Sequence, residues 1–320
     1  MPLAFVVAGI VLPSAYSVAG ADTARVFRPE KVPFRLCIGE HRFPCSLSSA
    51  FVLPAEAFEL FIEGGTGAFR CVDSLEHVAI EVRSADRFLL RAPDSPGVYD
   101  VVVHDYSNDQ SAVLRVWVLV PYTLLRGEYL NGYRIGRYPD IPYRNLPIYL
   151  PPDGFVEVTP ENEDYLVSPH FRLKDFLCKQ NGGYPKYLVL REALLLKLEL
   201  VLEKVNEAGY PCSTLAVLSG YRTPYYNRAI GNVRYSRHQW GGAADIYIDH
   251  HPRDEMMDDL NEDGHINWRD AAILYDLVDN MYGREYYRPF EGGLGRYRKT
   301  NEHGPFVHVD VRGYRARWGD

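Results

Sequence analysis

The stretch Phe306-Val307-His308-Val309-Asp310-Val311 limits the fold more than any other part of the chain. Valine fills every second position, and Phe306, His308 and Asp310 fill the others. A period of two belongs to a β-strand, whose successive side chains point to opposite faces. The valine face has to be buried. The other face then holds an imidazole and a carboxylate side by side. Residues 243–249 repeat the pattern, with Ala244, Ile246 and Ile248 on one face and Asp245, Tyr247 and Asp249 on the other. Leucines run from Lys186 to Asn206 and stop near Gly209, which reads as a buried helix. Residues 214–222 read as a strand entering a turn. A helix laid on antiparallel strands makes the C-terminal half an α+β unit.

His238 enters from the loop before Asp245, and His308 stands on the second alternating strand. Two imidazoles and one carboxylate, with a fourth position open, are a recognised catalytic zinc set. Gly241, Gly242 and Ala243 let the backbone come close beside an ion. Spacing alone leaves a second reading open, in which His238 and His308 are unrelated surface or core histidines.

Ser236, the series His238-x-x-Gly241-x-Ala243-x-Asp245, and His308-Val309-Asp310 resemble the zinc D-alanyl-D-alanine peptidases. These are bacterial cell-wall enzymes grouped with the hedgehog fold. Ser219-Gly220-Tyr221-Arg222 and Ser168-Pro169-His170-Phe171 resemble further segments of that family, in the same order. The resemblance covers residues 168–320. It implies a hedgehog-like peptidase domain with zinc on His238, Asp245 and His308. It implies that Arg222 meets the substrate or the developing oxyanion, and that Ser236 and Tyr221 bind substrate. The implied substrates are peptidoglycan stem peptides, cut by a carboxypeptidase or an endopeptidase. The chain departs from the family at the general base. Many members carry Glu three residues before the last ligand or His two before it; Pro305 and Phe306 stand there instead. Neither takes a proton. Asp310 is the first candidate to replace it, with Glu302 and His303 in the preceding loop as the others. The same departure supports a different reading, a catalytically silent zinc-bearing module that binds the cell wall.

Residues 259–270 form a second motif. Asp259, Asn261 and Asp263 occupy positions 1, 3 and 5 of a twelve-residue loop, Gly264 position 6, Asn267 position 9 and Asp270 position 12. This is the EF-hand arrangement, in which alternating oxygens wrap one calcium ion and the His265 carbonyl serves position 7. Asp at position 12 resembles the loops of dockerin modules. The plainer alternative is an acidic turn. An amphipathic helix follows.

The chain has 320 residues, enough for two domains of about 100–200 residues each. Its net charge of -7 offers no basic surface for a nucleic acid. Residues 3–21 carry no charge and end in Ala19-Gly20-Ala21, as a signal peptide over 1–21 would. No Lys or Arg precedes that run. The expectation is export to the periplasm or cell envelope, with no membrane span after cleavage and a monomeric protein. Residues 22–122 carry short β-branched runs and turn residues, which predict an all-β, immunoglobulin-like sandwich. Residues 123–167, rich in Tyr, Pro and Gly, predict an irregular connector whose tyrosines need a surface to pack on. The five cysteines fit no zinc pattern and predict buried thiols with one or two bridges.

Overall fold

The computed structural model describes residues 27–319 other than 66 and 74. The expected signal peptide lies outside the described residues. The fold is mixed, mostly sheet with few helices, as an α+β reading requires.

Residues 31–118 make two facing sheets. One contains β1 (Lys31–Ile38), β2 (His41–Cys45), β4 (Ala57–Gly64), β6 (Ala79–Ser84) and β7 (Arg87–Arg91), in the order β2-β1-β4-β7-β6. The other contains β3 (Leu47–Val52), β5 (Phe69–Asp73), β8 (Gly97–Asp105) and β9 (Gln110–Val118), in the order β3-β9-β8-β5. β3 runs parallel to β9. Leu36, Leu60, Leu90, Val101, Leu114 and Val116 fill the space between the sheets. The β-branched runs of this region are clearest in β6 to β9. The first five strands were harder to see, because β3 buries two serines, Ser48 and Ser49, where a core strand normally carries apolar residues.

Residues 120–188 hold short strands: β10 (Val120–Pro121), β11 (Tyr129–Leu130), β12 (Tyr133–Arg134), β13 (Gly154–Val158), β14 (Leu166–Ser168), β15 (Phe171–Arg172) and β16 (Lys186–Leu188). Tyr138, Tyr149 and Phe155 are buried in one cluster with Leu198 and Trp240. The connector is thus a wall of the second core. The predicted helix starts later than its leucine pattern suggested. Lys186–Leu188 pairs with Val156–Val158 as a strand, and α1 spans Glu192–Glu207. Gly209, at φ +92°, lies just beyond the end of that helix.

α1 buries Leu194, Leu198, Val201 and Val205 in the same core as Ala244, Ile246, Val307 and Val309. Each such apolar side chain contributes about 1.5–3 kcal/mol when fully buried. The strands carrying those residues belong to a sheet of β17 (Ala216–Ser219), β18 (Ala243–Tyr247), β19 (Gly293–Tyr297), β20 (Phe306–Asp310) and β21 (Ala316–Trp318), in the order β17-β18-β20-β19-β21. All neighbours are antiparallel except β19 and β21. The short α2 (Pro224–Ala229) follows β17, and α3 (Trp268–Asp279) packs on β19 and β20. Register places the site, since Asp245 lies opposite His308 on β18 and β20.

The two units meet through buried polar contacts. Ser49 Oγ donates to the Val167 carbonyl at 2.6 Å and accepts from Trp117 Nε1 at 3.0 Å. The Phe51 amide donates to the Glu192 carboxylate at 3.0 Å. Among the described residues no cysteine is bridged. Burial pushes the thiols of Cys45 and Cys212 up to about 12. No described helix is long and apolar enough to cross a membrane.

Candidate metal centre

The valine face of β20 is in the core, as its alternation requires. Its other face brings His308 to Asp245 and, from the 3-10 turn Arg237–Trp240, to His238. His238 Nε2 lies 3.1 Å from His308 Nδ1 and 3.2 Å from Asp245 Oδ1, and His308 Nδ1 lies 2.8 Å from that oxygen. All three residues are buried. Among the described residues this is the one group of three His, Cys, Asp or Glu side chains placed to hold an ion.

The outer atoms fix what the inner atoms present. His238 Nδ1 sits 2.6 Å from the Gly220 carbonyl, which only accepts, so that nitrogen is the protonated donor. His308 Nε2 sits 3.2 Å from Asp310 Oδ2 and donates to it in the same way. The inner nitrogens, His238 Nε2 and His308 Nδ1, are left with lone pairs. Asp245 Oδ2 accepts from Arg222 Nη2 at 2.5 Å, which leaves Oδ1 facing the imidazoles. Two lone pairs and a carboxylate oxygen within 3.2 Å of one another repel unless a cation lies among them. Tetrahedral zinc, with bonds of about 2.0–2.1 Å, sets its ligand atoms about 3.3–3.4 Å apart. The residues present fit zinc in donor type, and their separations of 2.8–3.2 Å fall slightly inside the tetrahedral spacing.

The three groups also act on one another's charge. Burial works against the Asp245 charge, but the two imidazoles outweigh it and hold the carboxyl well below its usual range. Burial pushes His238 down. For His308 burial acts the same way, but the Asp245 and Asp310 carboxylates overcome it and the ring moves up, toward a protonated form that a cation between the ligands would have to displace.

Asp310 is on the metal face, as predicted, but its oxygens are occupied. Gly293 N–H and the Arg312 backbone and guanidinium donate to it, besides His308. Burial is outweighed there by His308 and Arg312, and the carboxyl is held low. Behind it, Lys197 of α1 is fully buried and donates to the carbonyls of Asp310 at 2.7 Å and Phe290 at 3.1 Å. His303 packs its ring edge-on to Phe306, 4.9 Å between centres, and Nδ1 lies 2.8 Å from the Gly304 carbonyl. Glu302 is exposed.

Three expectations change. Tyr221, expected on the substrate, is a core residue at 1% exposure with its hydroxyl 3.0 Å from that of Tyr138. Ser236 is nearly buried, at the start of the His238 turn. Gly241 and Gly242 do not make room for an ion. A Cβ on Gly241 would stand 2.3 Å from the Val189 carbonyl oxygen, and one on Gly242 2.9 Å from Arg237 Nη2. They admit the chain before α1 and a buried arginine. Arg222 Nε donates to Ser219 Oγ at 2.9 Å.

The loop 259–270 is folded by its own acids. Asp259 accepts from the amides of Asp263 and Gly264, and Asp263 from that of His265. Asp270 accepts from Leu260 and Asn267, and Asn267 caps α3. Gly264 turns at φ +81°.

A family model described as Peptidase M15 matches residues 169–266. The match contains His238 and Asp245 and ends before His308, which the sheet register supplies. No curated protein matches the chain. A solved structure of the titin M3 domain is similar at 13% identity, covering 27% of this chain and 97% of that one, with a TM-score of 0.18.

Proposed function

We propose that this chain is an exported zinc peptidase that hydrolyses peptide bonds in peptidoglycan stem peptides. The match to the M15 peptidases supports the coarse reading. The observation that carries it is the convergence of His238 Nε2, His308 Nδ1 and Asp245 Oδ1, each turned inward by an outer hydrogen bond. Zinc held there supplies Lewis-acid polarisation of the scissile carbonyl and activates water near neutral pH. Ser219 and Asp245 hold the Arg222 guanidinium by two of its five N–H donors, and the others are assigned to the negative charge that develops on the substrate. Asp310 is assigned to holding His308 in the metal-binding tautomer. His303 is assigned as general base: its Nδ1 faces an acceptor, so Nε2 carries the lone pair. Residues 259–270 are assigned to calcium, as a stabilising site.

Phe306, stacked on Tyr297 where relatives of this pattern carry a base, favours the second reading, a silent zinc-bearing wall-binding module. Elemental analysis and hydrolysis of muropeptides, with and without chelator, separate the readings. Zinc near one per chain and chelator-sensitive cleavage are expected. His238→Ala and His308→Ala should each lose both. Stoichiometric zinc in both variants would sink the metal assignment, and zinc without cleavage in the wild type would leave the silent module.

A further inference from the structure

The metal face of the sheet continues past His308 into an aromatic wall. β19 carries glycine at 293 and 295, opposite Asp310 and His308. Glycine inside a strand marks close approach by another group. That group is Trp318, on β21 beside them. A Cβ at Gly295 would stand 2.3 Å from Trp318 Nε1, and one at Gly293 2.7 Å from its Cη2. The indole therefore lies across both glycines. Its ring centre is 5.1 Å from that of His308, and Nε1 donates to the Tyr297 hydroxyl at 2.8 Å. Tyr297 is 37% exposed and stacks on Phe306 at 4.5 Å and 11°. Arg312 lies 5.1 Å from the indole centre, but its charge is met by Asp310. The surface beside His308 on this side is thus aromatic, and the guanidinium nearest the indole is already paired.

We propose that Trp318 and Tyr297 form the wall of a substrate subsite beside His308, and that this subsite takes an apolar side chain and rejects a charged one. A carboxylate pressed on the indole would lose water and meet Arg312 already paired with Asp310, which is costly. An apolar side chain gains contact with the indole. The inference rests on the peptidase reading.

The test uses the full chain loaded with zinc and D-alanine-terminated peptides that carry alanine or aspartate on either side of the cleaved bond. The wild type should prefer alanine on one side. Trp318→Ala should raise KM for the alanine peptide about tenfold to a hundredfold and shrink the preference, with zinc content unchanged. Trp318→Phe should recover most of the loss. Gly295→Ala, which leaves the indole no room, should reproduce Trp318→Ala. An unchanged KM and preference in Trp318→Ala would overturn the subsite while leaving the peptidase reading intact. Zinc loss in both Trp318 variants would also overturn it, since the indole would then only shield His308. If the wild type cleaves none of the peptides, both readings fall.

Discussion

At the scale of single residues, the question is which group takes the proton. Asp310 was the leading choice because period two put it on the face of His308. The alternation was right about the face, but it cannot see the partners. Arg312, Gly293 and His308 occupy its oxygens, so it is a weak base already in use. His303 is free of ion pairs among the described contacts and packs on Phe306. His303→Ala should therefore lower turnover by roughly 10²–10⁴, the usual range for a positioned acid–base group, with zinc retained. Asp310→Ala should weaken zinc binding about 10–100-fold. Measured side by side, the reverse pattern would return the base to Asp310. The zinc-type trio was legible because two alternating strands, each with one polar face, leave few other arrangements. Trp318 was not legible as a wall, since its neighbours come from β19 and β20. The Gly293-x-Gly295 spacing in a strand was the one local signal for it.

At the scale of elements, the loop 259–270 with α3 shows how one sequence pattern serves two ends. Its carboxylates accept backbone amides, which closes the loop and caps the helix without an ion. The proposed calcium site would have to draw on the same oxygens. Ligand binding to the native state alone stabilises by RT ln(1 + [L]/Kd), about 2.7 kcal/mol at one hundred times Kd. Melting should rise with calcium and fall with a chelator that spares zinc. Asp259→Ala and Asp263→Ala should remove that response with zinc content unchanged. A melting temperature indifferent to calcium, with none in the purified protein, would leave an acidic turn. The start of α1 shows the opposite limit of sequence reading. Leucine periodicity found the helix, but Lys186–Leu188 is apolar enough for either element. Pairing with β13, 30 residues earlier in the chain, decided for strand.

At the scale of the whole molecule, the change of composition near residue 168 suggested where a peptidase domain begins. The core does not respect that point. Trp117, Tyr138, Tyr149 and Phe155 are buried in one cluster with Leu198, Trp240 and Val309. Trp240 Nε1 donates to the Leu150 carbonyl and Arg237 Nη1 to that of Ile148, so the turn bearing His238 is fastened to the connector. A fragment of residues 168–320 would lose all of these partners. Deleting one large core side chain costs about 3–5 kcal/mol, and a whole domain holds only about 5–15 kcal/mol. The loss of four aromatic residues, about 12–20 kcal/mol, is as large as that reserve or larger. The fragment should lack a cooperative melting transition and fail to hold zinc. A fragment of residues 117–320 keeps the cluster and should melt cooperatively with zinc bound, at a lower temperature than the full chain, because Ser49 and Phe51 no longer meet Val167 and Glu192. Calorimetry and elemental analysis of the two fragments give the comparison. Cooperative melting and stoichiometric zinc in residues 168–320 would show that the connector is a spacer after all.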